Sequence, residues 1–412
     1  MREFVSTIKS RHFTYLWFSQ IISQLIINTL SFLIITRIFE LTNSTIAVSF
    51  VWVAYAMPAI VFGPIGAVTA DIVDKRKIMI LSLAFQSLVI FSFSFFYYKY
   101  LFLSYAVVFT YSLFNQFYMP SEAATLPHIV HKKRLPQANS LFFITVQSGL
   151  VSGFVLAGFL YNFVGFKVTT IAASVVLATA ALSVSLLPTL KSHEKLPRDF
   201  EKGVGKFFSD MLEGYSFIKN NTKILFPFLI LIGLQVTLSI VVVSLPAIVS
   251  QVVKTEVSLA GLIVVVPGAV GALSSTFIVA RLMERRVRKR KLIWYSLLIL
   301  SICLLIISTI VPNVYFWLGR LIAILCFFLA GGAYVVGIIP SLTFLQEVTP
   351  QDLMGRVFGN IWFVTTVATL LPVLFSATIT EIFGIKLLLF ILGIGGILVS
   401  LWFKKRQKYL II

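Results

Sequence analysis

The sequence predicts an all-α membrane protein with twelve transmembrane helices in two six-helix halves. Three observations lead to this prediction: a strongly apolar composition, apolar segments of membrane-spanning length along the whole chain, and one long polar stretch near its middle. Of the 412 residues, 58% are hydrophobic and 12% are charged, and the mean hydropathy is +0.98. Soluble domains carry about 25% charged residues. The composition therefore excludes a soluble fold.

The apolar segments are continuous and reach the roughly 20 residues that a helix needs to cross a bilayer. Membrane strands would instead show about 10 residues of alternating hydropathy. The first segment follows a basic start, as in a signal peptide, but it is too long and no small-residue cleavage site follows, so we expect a transmembrane helix. The predicted spans are residues 13–37, 47–70, 78–98, 101–126, 138–163, 167–188, 224–250, 257–281, 292–311, 314–345, 357–382 and 386–403.

Positive charge is concentrated on one side of the predicted membrane. Under the twelve-span assignment, 28 of the 34 Lys and Arg residues fall at the termini and in every second loop, and only five fall in the opposite loops. The positive-inside rule then places both termini in the cytoplasm. The same asymmetry accounts for the net charge of +19, and the sequence offers no basic face with aromatic stacking groups for nucleic acid. We expect a multi-pass protein of the bacterial plasma membrane without a nucleic-acid partner.

One polar stretch divides the chain. The predicted domains are an N-terminal six-helix bundle, a cytoplasmic linker and a C-terminal six-helix bundle, at residues 1–189, 190–223 and 224–412. The later part of the linker predicts an amphipathic helix on the cytoplasmic membrane surface, because four apolar residues share one helical face. They are Phe207, Met211, Tyr215 and Ile218. A solvated linker remains the alternative for the first part of this segment.

The two halves repeat one another. Pro120-Ser121 near the end of the fourth span corresponds to Pro340-Ser341 near the end of the tenth, and a basic loop follows both the second and the eighth span. Internal duplication of this kind is typical of transporters that rock one half against the other around a midplane site. The repeat therefore predicts a transporter.

Four stretches on the cytoplasmic side carry a resemblance to a known family. They are GPIGAVTADIVDKRK at 63–77, PSEAATLPHIVHKKRLPQANSL at 120–141, EGYSFIKNN at 213–221 and LQEVTPQDLMGRVFG at 345–359. The chain resembles the major facilitator superfamily and, within it, the drug-efflux branch that includes macrolide efflux proteins and the enterobactin exporter. The resemblance implies the major facilitator fold and transport by alternating access.

The resemblance also implies a conformational switch. Asp71 matches the family's loop aspartate, and Lys75 and Arg76 match its basic pair. In the family this aspartate faces the N-terminus of the eleventh helix, where unpaired amide groups favour an anion. Arg356 stands near the start of that helix and would add a positive charge, so we expect Asp71 to latch the two halves on the cytoplasmic side. Plain interfacial charge placement is the alternative for each of these residues.

The sequence departs from the family pattern in two places. Ala67 and Ile72 replace a usual glycine and a usual basic residue beside Asp71. In the fifth span, Gly149 and Gly153 match the glycines of the antiporter motif, but its proline is replaced by Phe154. Small residues at this spacing also let helices pack closely. Proton-coupled antiport is therefore a weaker expectation than membership of the superfamily.

Two polar stripes are candidates for the substrate cavity, because polar side chains within an apolar bundle are costly unless they meet a cavity or a partner. Residues at intervals of three or four share a helix face. The stripes comprise Gln20, Gln24 and Asn28 in the first span and Tyr111, Asn115 and Tyr118 in the fourth. Hydrogen bonding between helices remains the alternative, above all for the first span.

Glu122 continues the stripe of the fourth span and is the most informative acidic residue. One hypothesis is that it binds a proton in one conformation and releases it in another. The other hypothesis, which we favour at this point, is that it belongs to the latch and pairs with Lys75 or Arg356. Arg320 and Glu381 lie near the predicted outer interface, where charged side chains can extend toward water.

The sequence predicts no enzyme, metal site or cofactor. None of the four histidines, His12, His128, His131 and His193, forms a metal-binding pair or lies deep in a span. We expect a monomeric secondary transporter that exports hydrophobic or amphipathic small molecules, with protons as the coupling ion and the lipid bilayer as its surroundings. A lysophospholipid flippase or a siderophore exporter of the same superfamily is the alternative. Such flippases usually carry an acidic residue in the first span, where this chain has amides.

Overall fold

The computed structural model describes residues 8, 10–98, 100–131, 134–189, 200–285, 287–349 and 354–406, and all regular structure within these ranges is helical. Twelve long helices follow one another along the chain. They are α1 (Arg11–Thr42), α2 (Thr45–Ile72), α3 (Lys75–Phe96), α4 (Phe102–Ile129), α5 (Leu135–Ser185), α6 (Phe200–Asn220), α7 (Thr222–Val243), α8 (Val266–Glu284), α9 (Lys289–Thr309), α10 (Phe316–Val348), α11 (Met354–Phe383) and α12 (Ile385–Arg406).

Short irregular helices interrupt the second half. Between α7 and α8 the chain forms one α-helical turn, a π-helix, a 3₁₀ turn and a second π-helix, at Leu245–Ala247, Ile248–Val252, Val257–Leu259 and Gly261–Val265. Another 3₁₀ turn, Val311–Asn313, connects α9 to α10. The two π-helices occupy positions where the sequence predicts the end of the seventh span and the start of the eighth.

The helices agree with the predicted spans. Ten stretches of the described residues are long and apolar enough to cross a membrane, and one of them, Gln137–Ser185, contains two predicted spans. These two spans are separated at Gly165, whose φ of 77° is a conformation that glycine adopts at little cost. The polar helix α4 is not among the ten, and counting it gives twelve spans. The predicted class, an all-α membrane protein, is confirmed for the described residues.

Tight turns join several helices. Asn43 adopts a φ of 49° in the two-residue connection between α1 and α2. Between α2 and α3, the Asp74 side chain accepts a hydrogen bond from the backbone N–H of Arg76 (3.0 Å) and so caps the start of α3. Such a cap satisfies an amide that the helix cannot pair internally. The turn at residues 73–74 therefore fixes the start of α3, where Lys75 and Arg76 stand.

Contacts divide the chain into two compact units. Met1–Leu41 with Phe50–Phe208 makes up the first, and Thr42–Ser49 with Ser209–Ile412 makes up the second. The segment Thr42–Ser49, which joins α1 to α2, thus belongs with the second unit.

The polar stretch between the halves contains α6. On its predicted apolar face Ile218 is buried in a cluster with Ile224 and Phe228, whereas Tyr215 is exposed. The side chains of Phe207 and Met211 lie outside the described residues. Ile218 therefore contacts protein rather than a membrane surface.

Glycines bring helices into close contact in both units. A Cβ on Gly66 of α2 would lie 2.0 Å from the backbone oxygen of Gln116 in α4, and one on Gly331 of α10 would lie 2.0 Å from the backbone oxygen of Gly268 in α8. Real Cβ atoms do not approach another atom so closely, so these helix pairs require glycine there. Small residues serve this purpose in membrane bundles, where helix backbones must approach one another.

Candidate functional site

The polar stripe of α4 is buried and turned toward α1. Tyr111, Asn115, Tyr118 and Glu122 are exposed by 0%, 7%, 1% and 4%. The hydroxyl of Tyr118 lies 3.0 Å from Ser19 Oγ, and the hydroxyl of Tyr111 lies 3.4 Å from Ser23 Oγ. The two serines are four residues apart on α1 and the two tyrosines seven residues apart on α4, so the helices meet through hydroxyl groups at two levels.

Glu122 lies at the end of this network. Tyr118 Oη donates to Glu122 Oε1 (2.8 Å), and Ser19 Oγ donates to the backbone oxygen of Leu16 (2.7 Å). A continuous chain of oxygen atoms therefore leads from the carboxyl group through two hydroxyls to the backbone of α1. Every side chain in this chain is at least nine-tenths buried.

Within the described part of the chain, Glu122 forms no ion pair. Lys75, the first residue of α3, is buried but does not pair with Glu122, and the side chain of Arg356 lies outside the described residues. An ionised carboxylate in an apolar interior is costly without a cation, and a buried acid can avoid that cost by binding a proton. Glu122 is therefore a buried carboxyl group whose hydrogen-bond partner among the described residues is a hydroxyl.

The amide stripe of α1 packs against glycines of α5. Gly149 lies against Gln24 and Gly153 against Asn28, where an added Cβ would come within 2.9 Å and 2.6 Å of the facing Cβ atoms. Asn28 Nδ2 donates to the backbone oxygen of Gln24 (2.7 Å). The structure thus gives Gln24 and Asn28 contacts between helices. The third amide, Gln20, is buried, and its Oε1 has no hydrogen-bond partner among the described residues.

Three further residues of this site were missed in the sequence. Ser19 and Ser23 provide the hydroxyls that meet α4, and their spacing of four, one position before Gln20 and Gln24, was an available signal. Gln86 of α3 is fully buried, and its Nε2 donates to the backbone oxygen of Tyr111 (3.1 Å). Within the part of the chain that the structure describes, Gln86 Oε1 has no hydrogen-bond partner. The interior of the first unit therefore holds amide oxygens that could accept a further hydrogen bond.

The predicted switch residues are only partly described. Asp71 is the penultimate residue of α2, and Arg356 lies in the first turn of α11, but both side chains fall outside the described residues. Arg76 donates from its guanidinium to the backbone oxygen of Ser185 at the end of α5. Arg76 therefore ties α3 to α5, and the contact between Asp71 and Arg356 stays a prediction.

The two remaining charged candidates have specific partners. Arg320 Nη2 donates to Thr255 Oγ1 (2.7 Å), and its guanidinium lies 3.8 Å from the ring centroid of Phe316. Glu381 accepts hydrogen bonds from Ser44 and Ile46 at the start of α2. Both side chains are therefore held by protein groups, which an interpretation as free interfacial charges would not predict.

Comparison with known proteins identifies the family. A model of the Major Facilitator Superfamily matches residues 16–372. The chain belongs to this superfamily. It is a membrane transporter of the major facilitator type and not an enzyme.

The relatives share the fold across nearly the whole chain. The uncharacterized MFS-type transporter YfiS of Bacillus subtilis (strain 168) is 26% identical over 372 residues, covering 88% of this chain and 85% of the relative. A bacterial homologue of the human lysosomal transporter Spinster has a TM-score of 0.73 at 14% identity, covering 96% of each chain. A POT family transporter in complex with 5-aminolevulinic acid reaches 0.74 at 11% identity, covering 98% of this chain and 97% of the other. The nucleoside transporter NupG gives 0.72 at 12% identity, covering 96% and 99%. At these identities the solved structures show the fold alone.

Proposed function

We propose that this superfamily member is a proton-coupled exporter of hydrophobic or amphipathic small molecules, of the kind that confers multidrug resistance. It works by alternating access in the cell membrane with both termini in the cytoplasm. Support for this location is the concentration of Lys and Arg at the termini and in every second loop. Support for export is the resemblance of its cytoplasmic motifs to macrolide efflux proteins and the enterobactin exporter.

The observation that carries the coupling proposal is the environment of Glu122. A carboxyl group that is buried, bound to a tyrosine hydroxyl and unpaired with any cation in the described part of the chain can exchange a proton without breaking an ion pair. This revises the preference drawn from the sequence. Intramembrane acids of this kind are proton carriers in many transporters.

The latch at Asp71 supplies the conformational part of the proposal. Asp71 stands in the last turn of α2, and Arg356 stands in the first turn of α11, where a helix N-terminus favours an anion. Closing this contact stabilises one state of the alternating-access cycle, and opening it permits the other. The substrate-binding contacts are proposed to include Gln20 and Asn115, which are buried.

The experiment is expression in a bacterial host that lacks its own drug pumps. The wild type is expected to lower the accumulation of fluorescent amphipathic drugs, and Asp71→Asn and Glu122→Gln are expected to abolish this effect. Glu284→Gln is the matched control, because Glu284 is exposed and removing its charge touches neither group. In proteoliposomes, an imposed pH gradient is expected to accelerate transport by the wild type but not by Glu122→Gln.

Two results would contradict the proposal. If accumulation is unchanged across a broad drug panel while lysophospholipid crosses the membrane instead, the protein is a flippase. If drugs are exported at a rate that does not depend on the pH gradient, the proposal of export is supported but the proposal of proton coupling is wrong.

A further inference from the structure

The oxygen chain that starts at Glu122 contains one more contact than its hydroxyl protons can satisfy. Its three contacts join Glu122 Oε1 to Tyr118 Oη, Tyr118 Oη to Ser19 Oγ, and Ser19 Oγ to the backbone oxygen of Leu16, at 2.8, 3.0 and 2.7 Å. Each O···O distance lies in the range of a hydrogen bond, and three hydrogen bonds made at once need three protons. The hydroxyls of Tyr118 and Ser19 supply two. A protonated carboxyl group of Glu122 would supply the third.

All three bonds form together when Glu122 is protonated. The carboxylic acid then donates to Tyr118, Tyr118 donates to Ser19, and Ser19 donates to Leu16. When Glu122 is ionised, Tyr118 instead donates to the carboxylate, because bonds to a charged acceptor are roughly twice as strong as neutral ones. The single proton of Ser19 must then serve either Tyr118 or the carbonyl of Leu16, and one contact is lost.

We propose that Tyr118 and Ser19 are positioning residues that convert the protonation state of Glu122 into a change in how α1 is tied to α4. When Glu122 is protonated, the hydrogen bonds run without a break from Glu122 to the backbone of α1. When Glu122 is ionised, one of the two hydrogen bonds of Ser19 is lost. The inference rests on the proposed function only in assigning this change to the transport cycle; the proton count itself does not depend on it.

The groups that face Glu122 allow this behaviour. Tyr118 lies on the same helix, Tyr111 lies two further turns away, and α1 presents the hydroxyl of Ser19. No lysine, arginine or histidine of the described ranges, Lys75 of α3 included, forms an ion pair with Glu122. A change in the protonation state of the carboxyl group therefore acts first on the hydrogen bonds of these hydroxyl groups.

The test uses the purified full-length protein in detergent and follows the carboxylic C=O band of Glu122 by infrared difference spectroscopy between acidic and alkaline pH. Glu122→Gln assigns the band by removing it. In Tyr118→Phe the band is expected to shift in frequency, because the carboxyl group loses its hydroxyl partner. Ser19→Ala is expected to shift the frequency while leaving the bond to Tyr118.

Tyr111→Phe is the matched control. Tyr111 is a fully buried tyrosine of the same helix whose hydroxyl also faces a serine of α1, but at 3.4 Å and without a carboxyl group. It is expected to leave the band and its pH dependence unchanged. The inference is overturned if the two phenylalanine variants behave alike, or if the band of Glu122 is absent or constant at every pH. If a variant loses drug export while its infrared spectrum is unchanged, the result counts against the proposed function but not against the hydrogen-bonded chain of Glu122, Tyr118 and Ser19.

A separate observation concerns Glu381 at the other end of α11. Glu381 Oε2 accepts a hydrogen bond from Ser44 Oγ (2.7 Å) and another from the backbone N–H of Ile46 (3.1 Å). Ser44 Oγ in turn accepts from the backbone N–H of Ala47 (3.1 Å). Ser44 is thus the N-cap of α2. Glu381, which is more than 300 positions away in the sequence, completes this cap.

The position of Glu381 is unfavourable within its own helix. It lies in the last turn of α11, where the partial negative charge of the helix end opposes a carboxylate. The first turn of α2 offers the opposite charge through its unpaired amides. The carboxylate is therefore stabilised by α2 rather than by α11. Thr42–Ser49, which contains Ser44 and Ile46, belongs with the second unit, although most of α1 and α2 belongs with the first.

We infer that Glu381 is a releasable clasp on the start of α2. It holds the connection between α1 and α2 in the second unit, and its opening lets this connection follow the helices to which it is covalently attached. The clasp has the same chemistry as the latch at Asp71, a carboxylate against a helix N-terminus. Its role in transport rests on the proposed alternating access, whereas the contact itself can be measured without a substrate.

Hydrogen exchange tests the contact. Glu381→Ala is expected to accelerate exchange in the peptide that contains the amides of Ile46 and Ala47. Glu347→Ala is the matched control, because Glu347 is another exposed glutamate of the second unit and its partner is Lys289. The clasp is refuted if the two variants exchange alike in this peptide.

Cross-linking tests the release. Ser44→Cys combined with Glu381→Cys, in a background with Cys303→Ser and Cys326→Ser, is treated with a short bifunctional thiol reagent that a reductant cleaves. A reagent is needed because a cysteine is shorter than the glutamate that it replaces. Cross-linking is expected to stop transport and reduction to restore it. Undiminished transport by the cross-linked protein would show that the clasp does not open.

Discussion

Gly153→Ala should weaken the contact between α5 and α1 by a predictable amount. The new methyl group would lie 2.6 Å from Asn28 Cβ and 3.0 Å from the backbone nitrogen of Thr29. Carbon atoms prefer separations of about 3.5–4.0 Å, so the methyl group is roughly 1 Å too close to a neighbour that includes helix backbone. Overpacking of this kind typically costs about 1–3 kcal/mol. The shift also strains the bond from Thr29 Oγ1 to the backbone oxygen of Gly153 (3.2 Å).

Gly233→Ala is the control for this substitution. Gly233 lies within α7, and an added Cβ meets no atom within 4 Å. Alanine is favoured over glycine in a helix interior by about 1 kcal/mol, so this variant should be as stable as the wild type or more stable.

The assay is thermal unfolding of the purified protein in detergent, followed by intrinsic fluorescence. A loss of 1 kcal/mol lowers the melting temperature of a unit of this size by about 2–4 °C. Gly153→Ala is therefore expected to melt several degrees below Gly233→Ala. Equal melting temperatures, or a higher one for Gly153→Ala, would show that α5 and α1 do not pack through this glycine.

Three smaller effects should be measurable by the same assay. Asp74→Ala removes the cap of α3 and should cost about 1 kcal/mol, whereas Asp74→Asn should retain most of it. Gly384→Ala forces a side chain into a φ of 85° with no atom nearby to clash, so it should cost about 1–2 kcal/mol through backbone strain alone. Tyr161→Phe removes the donor to the exposed Glu40 and should cost about 1 kcal/mol or less. A larger loss in the last variant than in the first would contradict this order.

Hydropathy was sufficient to predict the fold class. In a bilayer every backbone polar group must be paired within the protein, so continuous apolar segments of this length can only be helices. The predicted gap between the fifth and sixth spans, residues 164–166, contains Gly165, where a positive φ separates the two helices. The sequence could not show that a single residue makes this break, because one changed conformation leaves no trace in an average over twenty residues.

The candidate site was predictable on one helix but not across two. Spacing alone placed Tyr118 and Glu122 on one face of α4. Their partner on α1 depends on how that helix is rotated in the packed unit, and the sequence emphasised the larger amides. In the structure Gln24 faces a glycine of α5, and the smaller Ser19 meets Tyr118. Packing decides this rotation, because a glycine surface admits close approach and a hydroxyl satisfies a buried tyrosine.

The same limit applies to Glu381, whose partner depends on tertiary structure alone. Asp71 in the last turn of α2 is predicted to meet the first turn of α11, and Glu381 in the last turn of α11 contacts the first turn of α2. Each helix therefore carries a carboxylate at the end where its own dipole disfavours one, and each N-terminus can stabilise the carboxylate of the other.

A carboxylate at the C-terminal end of a helix costs free energy unless the N-terminus of another helix stabilises it. That stabilisation is lost when the two helices move apart. The contact of Glu381 is observed and the contact of Asp71 is predicted; if both form, one can close as the other opens, as the proposed alternating access requires. Removing one carboxylate should then favour the state that the other stabilises: Asp71→Asn should slow exchange at Ile46, and Glu381→Gln should accelerate it. Equal exchange at Ile46 in both variants would show that the two contacts are not coupled.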